Sequence, residues 1–422
     1  MKILMSAYAC LPNVGSEPGI GWRWATEAAK LGHEVTVITR ESNRADIEKA
    51  LSLDNSLEKI AFEYYDLPNF YQWQSIERLW PTKVGLHFFW HIWHYPYHYF
   101  WQKGVFKKAK GLVKNHTFDA IHHITFGTIR RSSSLWKLDK PFIFGPVGGG
   151  ERAPFKLRKI FTKRAQLNEL ARDLSILSSK LSLGIRDTCK NAEKIYLKTP
   201  DSMYLVPKAY RTKAEVKLEI GIENPIRVIE NNASDQNKNI KILYVGRFLY
   251  WKGMDYGLRA FAQLVEKHPH SELTMVGKGP DEDNWKKLAA KLEINNNIKW
   301  VQWVDQKELS RYYQDSDIFL FPSLHDSSGN VVLESISHGL PVVCLNLGGP
   351  AAIVDDSCAV RVDVTNKTAN QVVKNLADSL LFLSNNREEL SKLKEGALEK
   401  SKKYIWSNVV ATLYNQISEK KC

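Results

Sequence analysis

The sequence predicts an α/β protein made of two Rossmann-like, doubly wound halves. Three observations predict it. Short runs rich in Val, Ile and Phe, bounded by Gly, Pro and Asn, recur along the chain as strands do. Amphipathic stretches of helical length separate them. The alternation occurs twice, and 422 residues suit two domains. Apolar residues make up 44% and charged residues 25%, the balance of a globular protein, which excludes disorder, collagen and coiled coil as whole-chain descriptions.

In the first half the strands are Ile3–Ala9, Val35–Thr39, Ala120–Ile124, Phe142–Val147 and Lys194–Thr199. A helix ending at Gly32 joins the first two and completes a βαβ unit. The opening run is short and leads into a Gly/Pro loop, so it reads as a strand and not as a signal peptide. In the second half the strands are Lys241–Gly246, Glu272–Gly277, Ile298–Val304, Ile318–Ser323 and Pro341–Asn346, with helices over Asp255–His268 and Asp283–Leu292. The polar segment Ala233–Asn239 reads as the loop between the halves. The expected domains are 1–230 and 231–400, followed by a terminal segment 401–422. Ligands of such sheets bind at the carboxyl ends of the strands.

Residues 57–110 interrupt the alternation. The run Leu79–Lys110 holds four Trp and a cluster of Phe and Tyr, with lysines directly after it. It reads equally as a buried aromatic cluster or as an interfacial membrane element. His87, His91, His94 and His98 share helical spacing, but no Cys or carboxylate joins them and Pro96 breaks the run, so no metal is expected. Five scattered cysteines form no CxxC pair and suit a reducing compartment. No run of about 18 apolar residues predicts a spanning helix.

The net charge is +13, and its excess is local. Residues 101–200 hold 21 Lys/Arg against 7 Asp/Glu, whereas the rest of the chain is nearly balanced. Such a block suggests an acidic partner. Nucleic acid is not favoured, because the aromatics lie mostly before the block and make no stacking platform within it. Within the block, Ala153–Leu167 reads as a basic amphipathic helix, which suits a lipid-diphosphate acceptor at an anionic membrane surface or, equally, a solvated helix face.

The most informative stretch is Phe321–Gly349. A strand ends at Ser323, a short polar loop follows, and a helix runs from Asn330 to His338. The free N–H groups at the start of that helix, around Ser328, Gly329, Asn330 and Val331, suit phosphate oxygens. Asp326 and Glu334 stand eight apart, and carboxylates accept hydrogen bonds from sugar hydroxyls. A second stretch, Leu243–Phe261, places Arg247 and Lys252 in a strand-to-helix loop, where two cations can neutralise a diphosphate.

These stretches resemble glycosyltransferase family 4, the retaining group 1 transferases of GT-B fold. The family's mark is a Glu, seven residues, a second Glu, and a small-Gly-x-Pro-Val-Val segment. Here Asp326 stands at the first Glu and Glu334 at the second. Val276–Asp283, with Gly277, matches the family's Gly-x-Gly-Pro segment, and Ile298–Leu309 its next strand. The four matches occur in the family's order within 241–350. The resemblance implies that Asp326 approaches the donor sugar, Glu334 the ribose, and Arg247 with Lys252 the departing diphosphate. It also implies that the last helix, Lys402–Ile417, crosses back to the first domain.

The first half matches less specifically. Gly15, Ser16 and Glu17, in the loop after the first strand, would meet the donor diphosphate or the acceptor. Phe118–Gly127 resembles the family's Asp-x-x-His strand end, which makes His122 or His123 a catalytic candidate; only one of the two can face the ligand. Gly148 and Gly149 end a strand where backbone can approach a ligand. The implied activity is transfer of a sugar from a UDP- or GDP-sugar to a saccharide or lipid-linked acceptor in polysaccharide biosynthesis, as a hexosyltransferase of EC 2.4 class. No cofactor or metal is expected, and no DxD segment appears. The expected location is cytoplasmic, with peripheral association at the inner membrane face a hypothesis from the aromatic and basic segments. The alternatives are a GT-B nucleotide-sugar epimerase and a non-catalytic partner in glycan assembly.

Overall fold

A computed structural model describes residues 1–67, 87–225 and 239–418. It contains two sheets with every strand pairing parallel. The chain divides into two compact units, one of 1–150, 170–220 and 406–422, the other of 151–169 and 221–405. The division departs from the expected 1–230, 231–400 and 401–422 in that 151–169 joins the second unit, and the other two boundaries fall at 220/221 and 405/406. Residues 151–169 pack with the second sheet, because Tyr256 there donates to the Leu157 carbonyl and Glu169 bonds to Tyr250 and His325.

In the first unit the strands are β1 (Lys2–Ala7), β2 (Glu34–Thr39), β3 (Ile60–Tyr64), β4 (Ala120–Thr125), β5 (Phe142–Val147), β6 (Lys194–Leu197) and β7 (Ala214–Val216), in the order 3-2-1-4-5-6-7. The order reverses direction between β1 and β4, the switch point of a doubly wound sheet. Both faces are covered, so β1, β4 and β5 are almost wholly buried, as parallel strands must be. The helix Ser16–Lys30 buries Trp24, whose indole N–H donates to the Glu219 carbonyl at 2.9 Å. The helix Trp406–Ser418 belongs to this unit, where Tyr414 is fully buried beside Trp24 and His122.

In the second unit the strands are β8 (Lys241–Val245), β9 (Glu272–Val276), β10 (Ile298–Val301), β11 (Ile318–Phe321), β12 (Val342–Leu345) and β13 (Ala359–Val362), in the order 10-9-8-11-12-13. The switch point here lies between β8 and β11. The loops that leave these two strands are therefore neighbours. Helices Met254–Lys267 and Ala369–Asn385 pack on the sheet, the second started by a Thr368–Gln371 capping box.

Of the interrupting segment, β3 and the helix His87–Asn115 are described. The side chains of His87, His91 and His94, and with them most of the expected histidine face, lie outside the described residues. His98 is buried, and Trp101 joins the core. The described residues hold no group of three His, Cys, Asp or Glu able to bind a metal. No helix among them is long and apolar enough to cross a membrane. The helix expected over Ala153–Leu167 is broken: a 3-10 turn covers Phe155–Ile160 and a helix begins at Lys163, because Phe161 turns extended between them.

Candidate functional site

The candidate site of the second unit sits where β8 and β11 end. After β8 the chain runs from Gly246 through Arg247 to Lys252 and enters a helix at Met254. Gly253, before that helix, has φ +74°, and a Cβ there would lie 2.0 Å from the Pro322 carbonyl oxygen. Glycine is thus required for the two loops to touch. The contact is reinforced by Leu324 N–H and the Ser323 hydroxyl, which both donate to the Trp251 carbonyl, at 2.8 and 3.2 Å.

Lys252 forms an ion pair with Asp326, and the two side chains are only 16% and 17% exposed. The pair joins a cation from the β8 loop to a carboxylate from the β11 loop. Burial strengthens such a contact relative to a surface pair. The Lys252 ammonium also lies 5.0 Å from the Phe321 ring centroid. Arg247 is exposed at the lip of the loop.

Beyond Asp326 the loop turns through Gly329 into the helix Asn330–Ser337. The Asp326 carbonyl accepts from the Gly349 N–H at 2.6 Å, which holds the loop against the start of the next helix, Gly348–Ile353. Asn330 Oδ1 is buried without a hydrogen-bond partner. One turn on, Glu334 accepts from the Tyr313 hydroxyl at 3.0 Å. Burial raises the Glu334 carboxyl above its usual range, and the Tyr313 bond partly offsets that.

A group unreadable in the sequence supports this loop. Glu169 is fully buried and accepts from the Tyr250 hydroxyl at 3.0 Å and from His325 Nε2 at 2.7 Å. Arg158 stands 3.7 Å from its other oxygen. The His325 ring stacks on Trp251, with centroids 5.5 Å apart and planes 15° apart. His325 and Trp251 directly precede Asp326 and Lys252, so Glu169 anchors both loops beside the ion pair. His325 lies inside the Phe321–Gly349 stretch, with no spacing that marks it. Glu169 lies 156 residues away and carried no signal.

Other expected site residues make contacts within the protein. Gly277 has φ +143°, and a Cβ on it would lie 2.0 Å from the Gly246 carbonyl oxygen, so its small size serves backbone packing between β8 and β9 loops. His122 is fully buried, its Nε2 2.6 Å from the Gly145 carbonyl and its Nδ1 2.8 Å from the Tyr414 hydroxyl. A carbonyl only accepts, so Nε2 carries the proton and Nδ1 accepts from Tyr414. Both nitrogens are committed to the core, which leaves His122 no open ring nitrogen for the expected catalytic contact. His123 points to the other face of β4. It is buried against Phe144, with Nε2 3.3 Å from the Phe126 carbonyl. Burial pushes both imidazoles down to about 4.

In the first unit Glu17 Oε1 takes the Gly127 N–H at 2.6 Å and ties the helix start to the β4 loop. Gly148 spends its N–H on the Gly127 carbonyl at 3.0 Å and its carbonyl on the Ile129 N–H at 2.8 Å. Gly149 is buried, and a Cβ on it would lie 2.7 Å from the Thr128 hydroxyl oxygen. Gly148 thus has no backbone N–H left for the expected phosphate contact. Gly15 and Ser16 are exposed, and a Cβ on Gly15 would meet nothing within 4 Å.

Residues 227–400 match the family described as "Glycosyl transferases group 1". An uncharacterised glycosyltransferase of Haemophilus influenzae is 30% identical over 198 residues, 46% of this chain and 50% of that protein. The chain thus spans about half the length of the curated relatives it matches. Among solved structures, WaaG, a glycosyltransferase involved in lipopolysaccharide biosynthesis, superposes with a TM-score of 0.57 at 17% identity, covering 97% of this chain and 98% of that one. Anabaena HepE in complex with UDP and glucose superposes with a TM-score of 0.59 at 14% identity, covering 99% of each. These likenesses establish the fold, which is that of the GT-B glycosyltransferases.

Proposed function

We propose that this chain, whose residues 227–400 match the group 1 glycosyl transferase family, is a hexosyltransferase that moves a sugar from a UDP-sugar to a saccharide or lipid-linked acceptor in polysaccharide or lipopolysaccharide assembly. The single observation that carries the reading is the joining of the β8 and β11 loops at the switch point, with Lys252 and Asp326 in contact there. The bound UDP and glucose of the HepE structure support the choice of donor.

In this reading the diphosphate draws Lys252 away from Asp326. Arg247 and Lys252 then balance the charge that develops on the leaving group, the term that usually dominates such catalysis. Asp326, freed from its partner, accepts from a hydroxyl of the donor sugar. Glu334 accepts from a ribose hydroxyl while Tyr313 fixes its rotamer. Asn330 Oδ1, a buried acceptor that costs about 1–3 kcal/mol while unmet, takes a donor N–H or O–H. None of these residues is built as a covalent nucleophile. Retention of configuration then follows a front-face course, in which the departing phosphate oxygen takes the acceptor proton. The cationic loop does the work of leaving-group stabilisation from side chains.

The test is thermal stabilisation of the chain by UDP, GDP, ADP and CMP. A nucleotide at a hundred times its Kd adds about 2.7 kcal/mol. Selective stabilisation by UDP, lost in an Arg247→Ala, Lys252→Ala variant, is the expected result. No stabilisation by any nucleotide would overturn the reading. Turnover of a UDP-sugar with no acceptor present would favour an epimerase instead.

A further inference from the structure

The helix Lys163–Lys180 carries apolar side chains on its exposed face as well as on its buried one. An amphipathic helix buries its apolar stripe and exposes its polar one. Here Glu169, Ile176 and Ser179 are buried, whereas Leu170, Leu174 and Leu177 are each at least 55% exposed. These leucines are three or four apart and line one face. The ridge continues past the helix end. Leu181 and Leu183 flank Ser182, which caps the next helix, Leu183–Asn191, and they are 81% and 73% exposed. Scattered exposed leucines are ordinary, but five in one line are a patch that calls for a partner.

We propose that the ridge Leu170–Leu183 is a membrane-docking surface that seats its leucines at the headgroup–acyl boundary of an anionic bilayer. Charge selects this occupant. The ridge runs over the point where one helix stops and the next begins. Lys163, Lys180, Arg186 and Lys190 are exposed along the same segment. Residues 163–190 hold six Lys/Arg against three Asp/Glu, and one of those three, Glu169, is buried. Leucines on one face with lysines and arginines beside them are the composition of an interfacial helix. Each cation near an anionic surface adds about fivefold to partitioning. The aromatic run singled out in the sequence is not needed for this surface. The inference goes beyond the transferase reading, and its test does not depend on that reading.

The test uses the full chain with phosphatidylcholine vesicles, with and without phosphatidylglycerol, in co-sedimentation at physiological salt. The expected result is binding to the anionic vesicles, weakened by raised salt. The variant Leu174→Ser, Leu177→Ser, Leu181→Ser should bind about a hundredfold more weakly, at about fivefold per exposed leucine. Lys180→Glu, Arg186→Glu should weaken binding to the anionic vesicles only. Both variants should keep the circular dichroism and melting temperature of the parent, since the replaced side chains are exposed. A parent chain that stays in the supernatant would overturn the proposal. So would a triple leucine variant that binds like the parent. Sedimentation velocity adds the remaining arm: a dimer that dissociates in the leucine variant would show that a second copy covers the ridge, and would also overturn the proposal.

Discussion

Replacing Glu169 by Ala tests how the site loops are held. The Glu169 carboxylate is fully buried and takes hydrogen bonds from Tyr250 at 3.0 Å and His325 at 2.7 Å. Bonds to a charged group are worth about 1.5–3 kcal/mol each, and cutting one partner leaves the other polar groups buried and unmet. Taking the low figure for both bonds gives about 3 kcal/mol. In a unit of about 200 residues, that lowers Tm by roughly 6–12 °C. Glu169→Gln keeps an acceptor oxygen and the shape, so its loss should be smaller. The assay is a melting scan of the parent and both variants, with and without UDP. The stabilisation by UDP should also shrink, because Trp251 and His325 directly precede Lys252 and Asp326 in the chain. A Glu169→Ala chain that melts within about 2 °C of the parent would refute the claim that this buried carboxylate anchors the loops.

Other consequences are as direct. Glu334→Gln removes a charge that burial disfavours, so it should hold or raise Tm while weakening UDP stabilisation; a loss of Tm with unchanged nucleotide response would contradict the assignment. His122 and His123 have folded pKa values of about 4, below the usual 6.5, so their stabilisation is full above pH 6.5 and lost as pH falls toward 4. Each contributes up to about 3 kcal/mol over that window, and denaturant titrations of the parent and of His122→Gln should show a shallower pH slope in the variant. Gly15→Ala should leave Tm unchanged, since its Cβ meets nothing, whereas Gly279→Ala places a Cβ 2.3 Å from the Phe248 carbonyl oxygen and should lower Tm by several degrees.

Much of the fold was legible because parallel sheets leave a strong local record. Strands buried on both faces, such as Ile318–Phe321 and Val342–Leu345, read as unbroken apolar runs. The positions of Arg247, Lys252, Asp326 and Glu334 were legible for the same reason. They follow strand ends and helix starts, and those boundaries carry glycines and polar residues. Their pairing was not legible. Only the adjacency of β8 and β11 brings Lys252 to Asp326 across 74 residues of chain.

The sequence alone determined which residues end strands and open helices, because periodicity and turn chemistry act over a few residues. Tertiary structure alone decided where each side chain points and what it spends its bonds on. His122 and His123 alternate across one strand, yet only packing shows that one meets Tyr414 and the other Phe144. Gly148 looked available to a ligand until its N–H and carbonyl were both found paired. Segment 151–169 follows the first half in the chain but joins the second unit, and the leucines after it face outward where helical periodicity would place them in a core. Each of these depends on contacts between residues far apart in sequence, and a local pattern carries no term for them.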